Sequence, residues 1–402
     1  MSSAMDDAPF DLRDPQTLFQ AHDHGRMPQL YEQLALQAPL WQLPGVDNVY
    51  LACTRELVEE GVAKPQELSS NLTQLLYRDG DGGPALFDMG MLDDPGHVLA
   101  TADPPAHTLQ RRLLQPGLSR RAVNAWAPRV RDITDELLEG MQPPSVDIAT
   151  ELADPLTMRV VCQLVGLPEE DTPELVQEVM AMDRLISGLA DRADMDTGAG
   201  AALTHGIRLA GYLNSSPPAG SILATLKDAI ADGLVTEGAA IGMLLQLVTA
   251  GTETTATLIG HAVRQLANDQ QLQQGLRDQR QRIPAFLETV LRDDGPFHFH
   301  SRTTRPGATL GGTPLPADSL VLLMWAAANQ STPDILGSHL AFGRGIHFCI
   351  GAHLARLEAM IAIDALLQRT AHIDADPARP STSRPSLMMP RPSSVPIRWR
   401  AA

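Results

Sequence analysis

Aromatic residues are scarce in this 402-residue chain, 4% of the total, and there are only three cysteines. Three scattered thiols, Cys53, Cys162 and Cys349, cannot build a disulfide framework; this excludes a small stapled secreted fold and points to a reducing cytoplasm. The N-terminal stretch MSSAMDDAPFDLRD has no apolar signal core. Long hydrophobic runs are missing as well. The longest, near residues 241–250, is broken by Gln246 and followed by Glu253, well short of the roughly 20 apolar residues that span a bilayer. Nor is there a basic excess: the net charge of −17 argues against a nucleic-acid footprint, because binding phosphates needs a basic face. The expectation is a soluble cytoplasmic protein with neither nucleic acid nor membrane as a partner.

What is present is helical. Ala and Leu dominate, and residues 237–268 and 352–369 carry apolar side chains at helical spacing. No linker divides the chain, so residues 1–402 are expected to form a single domain, mainly α with small β-sheets (α+β) near 40–60, 295–325 and 380–400. Pro- and Gly-rich punctuation at 80–106, 188–220, 293–318 and 374–396 reads as loops and short strands. The apolar run 321–325 reads as a short strand or buried turn. Residues 70–100 and 180–220, without clear periodicity, read as lids over a cavity.

The chemistry concentrates in residues 342–351, Phe-Gly-Arg-Gly-Ile-His-Phe-Cys-Ile-Gly, just ahead of an amphipathic helix. A helix start presents free N–H groups and the positive end of the helix dipole, which favour a thiolate at Cys349. Gly343, Gly345 and Gly351 suit a tightly turning backbone that approaches a flat ligand closely. Three other readings of the loop stand beside this one. Cys349 is a structural thiol in a glycine turn; or His347, Cys349 and His353 bind zinc, without a fourth ligand nearby; or the loop binds a dinucleotide, although Phe348 stands where that fingerprint needs glycine.

Residues 342–356 resemble the haem-binding signature of the cytochrome P450 family, Phe-Gly-x-Gly-x-His-x-Cys-x-Gly-x-x-Leu-Ala-Arg, at every fixed position. The resemblance implies the cytochrome P450 fold and haem b (iron protoporphyrin IX) as cofactor. It makes Cys349 the axial iron ligand, His347 a propionate neighbour, and Phe342, Gly343 and Gly351 parts of the haem-binding segment. It also gives meaning to Ala250-Gly251-Thr252-Glu253-Thr254-Thr255, a polar stretch in the middle of a helical pattern from about Glu237 to Leu266. Cleaving dioxygen in an apolar pocket requires delivered protons, hence a hydroxyl and a carboxyl group. Glu253 and Thr254 match the family's acid–alcohol pair, and Ala250 and Gly251 its oxygen-binding groove. Taken alone, the hexapeptide reads equally as a solvated Thr-rich face.

Haem propionates need charge-assisted partners. The prolines at 104 and 105 start a helix that sets His107 and Arg111 one turn apart on one face, and these match the family's propionate-binding pair. Arg302 matches a further propionate ligand. If the segment is extended, the two-residue period aligns His298 and His300 with Arg302, making either histidine a cavity-lining or propionate-touching group.

In one region the resemblance breaks. The family's Glu-x-x-Arg requires a glutamate at position 289, where this chain has Thr289; Glu288 lies one residue further from Arg292, roughly 100° around the helix. The segment from Asn329 to His339 spans ten residues and lacks the arginine that relatives carry. Arg292 is thus expected to be a buried charge without its family partners, compensated by Glu288, a propionate, carbonyls or water, either in a repacked active enzyme or in one with weakened haem retention.

No flavin or iron–sulfur module fits in the chain, so the resemblance implies electrons from a separate ferredoxin and its reductase, docking on Arg111, Arg112, Arg120, Arg121 and Arg356. The implied reaction is insertion of one oxygen atom into an apolar or amphipathic small molecule, free or carrier-bound, in natural-product biosynthesis. Two other classes stay open: a haem enzyme that rearranges, dehydrates or uses peroxide, and a non-catalytic recruitment module of the same fold.

Overall fold

Thr236 accepts a hydrogen bond from the Ala239 amide on its side chain, and the backbone then runs helically from Glu237 to Asn268. A capping hydroxyl satisfies one of the amides that a helix start leaves open. At 1.5 Å per residue this central helix is roughly 48 Å long, and it extends two residues past the predicted Leu266. From Thr255 to Val263 every side chain is buried, as befits a helix enclosed by protein on all sides. The computed structural model describes residues 8–89, 97–142, 144–332 and 338–401.

Helices Arg120–Gly140, Asp154–Val165 and Ala352–Arg369 pack with the central helix in one apolar core containing Ile133, Val161, Leu244, Ile259, Val263 and Ile361. Gly251 sets the closest crossing. A Cβ at this position would lie 2.8 Å from Cγ2 of Val161, so the missing side chain lets helix Asp154–Val165 approach the central helix closely.

The largest sheet has five strands in the order Leu40–Gln42, Val49–Ala52, Leu320–Leu323, His300–Thr304 and Leu68–Ser69. Leu320–Leu323 is buried throughout, running parallel to Val49–Ala52 and antiparallel to His300–Thr304. The apolar run 321–325 therefore divides: its first residues are strand, and Trp325 opens the short helix Trp325–Gln330. Near the C-terminus, Thr382–Arg384 pairs with Arg391–Ser394, and Pro396–Ala401 lies between Thr370–Ala375 and Ser145–Asp147. The fold is mainly helical with small sheets.

Residues 188–220 depart from the expectation of loops and short strands. Asp191 caps the helix Arg192–Leu213 by accepting the Asp194 amide at 2.8 Å. Its glycines weaken intrinsic helicity, but a Cβ at Gly198 would lie 2.9 Å from the Leu185 amide nitrogen. Close packing on helix Thr172–Ile186 outweighs propensity here. Within 70–100, Gln74–Arg78 and Pro84–Asp88 form a hairpin; residues 90–96, and residues 333–337 of the shortened 329–339 segment, lie outside the described residues. Among the described residues no helix is long and apolar enough to cross a membrane.

Candidate active site

The cysteine loop is held by its own backbone. The Gly343 amide donates to the Leu340 carbonyl (2.8 Å), Phe348 to Gly345 (3.1 Å), and Cys349 to Phe342 (2.9 Å). Gly343 and Gly345 have φ of +66° and +71°, and a Cβ at Gly345 would also lie 2.8 Å from Cγ1 of Val62; any other residue would be strained there. Cys349 ends the loop just before helix Ala352–Arg369. Its side chain is exposed, yet protein surrounds the sulfur closely enough that burial raises the thiol pKa. The Gly351 and Ala352 amides, with the Arg111 and Arg356 cations, act in the opposite direction. These groups favour the thiolate, the form that ligates a metal.

Beside the loop the predicted propionate groups converge. His107 is buried on helix Ala106–Leu114, and its ring centroid is 4.2 Å from that of His347. Arg302 is buried on its strand and donates to the Ser301 carbonyl. Arg111 donates to the Phe348 carbonyl at 2.9 Å. Burial makes each member harder to charge, and neighbouring cations add to this for the histidines. His347 falls to about 3 through burial, then Arg302, His107, His300 and Arg111; His300 falls to about 4 through burial and Arg302; Arg302 falls to about 10 through burial. The nearby carboxylate, Asp103, already takes the Ser70 amide and Arg305. Cationic donors buried together in this way are stabilised by an anion, and two carboxylates suit them. With a thiol at a helix start, where two backbone amides and two arginines oppose the effect of burial, the set fits haem: Cys349 as ligand and His107, Arg111, Arg302 and His347 for the propionates.

The zinc alternative fails on geometry. His347 Nε2 is 2.9 Å from Ser70 Oγ, and His353 Nε2 is 2.8 Å from Asn124 Oδ1. Among the described residues, no three His, Cys, Asp or Glu side chains converge as metal ligands. The extended-segment argument holds for only one of the two histidines. The strand begins at His300, which acts on His347 electrostatically. His298 precedes it, with Nδ1 3.4 Å from Tyr31 Oη and its backbone amide donating to the Met388 carbonyl.

On the central helix, Thr254 is partly accessible and donates its hydroxyl to the Ala250 carbonyl at 2.7 Å, while Ala250 itself is exposed. Glu253 points elsewhere. It is fully buried, and neither carboxyl oxygen has a hydrogen-bond partner among the described residues. Arg391 Nη1 lies 3.6 Å from its Oε1, and the same guanidinium bonds Asp154. Burial, and next the neighbouring Asp183, drive the Glu253 pKa well above the ordinary carboxyl range, with Arg391 and Arg384 opposing. The group expected to relay protons from water is thus an enclosed acid whose surroundings favour its protonated form. Asp154, Asp183, Arg384 and Arg391 were not anticipated from sequence; they lie more than sixty residues from Glu253 along the chain, with no shared local pattern.

At the altered Glu-x-x-Arg, Glu288 on helix Ile283–Asp293 is fully engaged. Arg356 donates from Nε to Oε1 (2.7 Å) and from Nη2 to Oε2 (2.8 Å), and His339 Nε2 lies 3.0 Å from Oε2. Burial alone would raise this carboxyl, but Arg356 and His339 bring it down to about 2. Arg292 bonds its neighbour Asp293 at 2.6 and 2.9 Å, and the Thr289 hydroxyl donates to the Ala285 carbonyl.

Comparison with known proteins identifies the family. The family profile described as Cytochrome P450 matches residues 325–396. Cytochrome P450 144 of Mycobacterium tuberculosis is 36% identical over 382 residues, 90% of this chain and 87% of the relative. The Erythromycin C-12 hydroxylase of Saccharopolyspora erythraea is 30% identical, covering 71% of this chain and 76% of the relative. A solved structure of a mutant of P450 EryK in complex with erythromycin B superposes with a TM-score of 0.82 at 25% identity, covering 94% of this chain and 97% of that one. With these matches spanning nearly its whole length, the chain belongs to the cytochrome P450 family of haem-thiolate monooxygenases.

Proposed function

We propose that this protein inserts one oxygen atom into an apolar or amphipathic natural-product-sized molecule, free or carrier-bound, with haem b held by Cys349. The observation that carries the reading is the convergence of His107, Arg111, Arg302 and His347 beside a thiol already facing two backbone amides. When bound, the haem supplies the redox-active iron through which dioxygen is activated. The chain's own residues supply the rest. His107, Arg111, Arg302 and His347 orient the propionates, with His300 beside them. Thr254 presents its hydroxyl on the accessible face at Ala250, and Glu253 lies one residue away, behind that face, where burial favours its protonated form. His298, set against Tyr31, supports the wall of the substrate cavity.

The substrate class follows the relatives, among them an Erythromycin C-12 hydroxylase and the Cyclomarin C epoxidase CymV. Electrons come from a separate ferredoxin and its reductase in the cytoplasm. Arg112, Arg120 and Arg121 are exposed and form the docking patch, whereas Arg356 is engaged by Glu288. The test is the absorption spectrum of the reduced protein with carbon monoxide. The parent is expected to give a thiolate-type Soret band that Cys349→Ser abolishes. A parent that binds no haem would overturn the reading and favour a recruitment module.

A further inference from the structure

Arg356 lies just over one turn into the cysteine helix, and its guanidinium does two things at once. It grips both oxygens of Glu288, and its centre sits 4.3 Å over the ring of Phe342. The Phe342 carbonyl is the acceptor for the Cys349 amide. A line of direct contacts therefore runs from Glu288 through Arg356 and Phe342 to the cysteine.

A second line reaches the same carboxylate from the segment entering the loop. The Ala341 amide donates to His339 Nδ1 at 3.3 Å, which fixes the tautomer with the proton on Nε2. That N–H then donates to Glu288 Oε2 at 3.0 Å. The side chain of His339 is 3% exposed, so water does not compete for this bond. The adjacent Leu340 amide donates to Asn329 Oδ1 at 2.7 Å.

We propose that Glu288, Arg356 and His339 form a brace that ties helix Ile283–Asp293, the cysteine helix and the loop entry together so that Cys349 is held in the ligating position. A forked arginine–carboxylate pair fixes direction as well as distance, and the histidine donor fixes the second oxygen. The three are positioning residues acting on Cys349 through Phe342 and the loop backbone. The proposal rests on the haem-thiolate reading for its purpose, but the brace itself is a property of the polypeptide.

The experiment follows two signals in the purified full-length protein: hydrogen exchange of the backbone amides from 340 to 351, and the share of thiolate-type Soret band in the reduced carbon monoxide complex. Glu288→Gln and Arg356→Ala are expected to speed exchange at the Cys349 amide about tenfold and to convert much of the thiolate-type band to the neutral-thiol type. The double variant should be no worse than either single one, because both remove the same interaction. Arg356→Lys, which keeps the charge but loses the fork, should fall between, and Thr289→Ala should leave both signals within about twofold of the parent. Exchange at Cys349 unchanged in both Glu288→Gln and Arg356→Lys would overturn the brace, as would an equal response to Thr289→Ala. If Arg356→Ala does not fold, Arg356→Lys and Glu288→Gln decide. A parent that takes up no haem defeats the monooxygenase reading, and the exchange arm then still decides the brace in the haem-free chain.

Discussion

Glu288 and Glu253 are both withdrawn from water, and their surroundings drive them in opposite directions. Glu288 receives three charge-assisted hydrogen bonds and is held ionised, down to about 2. Glu253 receives none and is pushed well above the ordinary carboxyl range by burial and by Asp183. A satisfied ion pair resists change and serves as scaffold. An unsatisfied buried acid is costly to keep, and such costs concentrate where protons must move. The difference separates a carboxylate suited to hold the cysteine loop from an acid that we propose takes part in the chemistry.

The largest expected effect breaks the comparison from the Glu253 side. Glu253→Gln keeps the shape but removes the ionisable proton, so oxygen-dependent turnover should fall about 100-fold if Glu253 acts as proposed. Stability should behave differently. The folded chain gives up this proton at a higher pH than the unfolded chain, whose carboxyl releases it above about 4.5, so this group costs stability as pH rises above that value. Glutamine removes that cost, and the variant's melting temperature at pH 8 should equal or exceed the parent's. A turnover loss matched by a melting-temperature loss would make Glu253 structural rather than catalytic.

The next effect tests Glu288 by pH. Its folded pKa is lowered from 4.5 to about 2, so its stabilisation is fully present above the unfolded value and disappears as pH falls through 4.5 towards 2. Allowing for its partial exposure, Glu288→Gln should cost about 2 kcal/mol at pH 7. The gap to the parent should close on acidification, read as converging melting curves between pH 5 and 3. A gap that persists unchanged at pH 3 would mean that the carboxylate charge is not what Arg356 and His339 recognise.

The same contrast separates what could be read from sequence and what could not. The cysteine loop was legible because its signals are contiguous: glycines at positive φ, a thiol, and a helix start within ten residues. The central helix was legible because its apolar spacing is unbroken, and its end was misplaced by only two residues. Helix Arg192–Leu213 was missed because its glycines read as loop, although one of them is required by contact with Leu185. The partners of both carboxylates escaped for a different reason. Arg356 lies 68 residues from Glu288, and Arg391 more than a hundred from Glu253; such pairs are created by tertiary packing and leave no local pattern. Sequence spacing did show that position 289 lacked its glutamate, but not that the neighbouring Glu288 had found another arginine.

That substitution supplies the smallest expected effect and the sharpest check on the comparison. Thr289→Glu restores the family spacing to Arg292, and if the inherited geometry were still latent the new carboxylate would engage it and stabilise the loop. The structure argues otherwise. Thr289 bonds back to its own helix, Arg292 is held by Asp293, and Arg356, the cation that reaches across to the cysteine helix, is already occupied on both sides of its fork. A second carboxylate beside Glu288 adds like-charge repulsion without a new partner. Thr289→Glu is therefore expected to shift stability by no more than about 0.5 kcal/mol in either direction and to leave exchange at the Cys349 amide unchanged. Marked extra protection at that amide would show that the ancestral network can still form, and that the Glu288 brace is one of two competing ways to hold the cysteine.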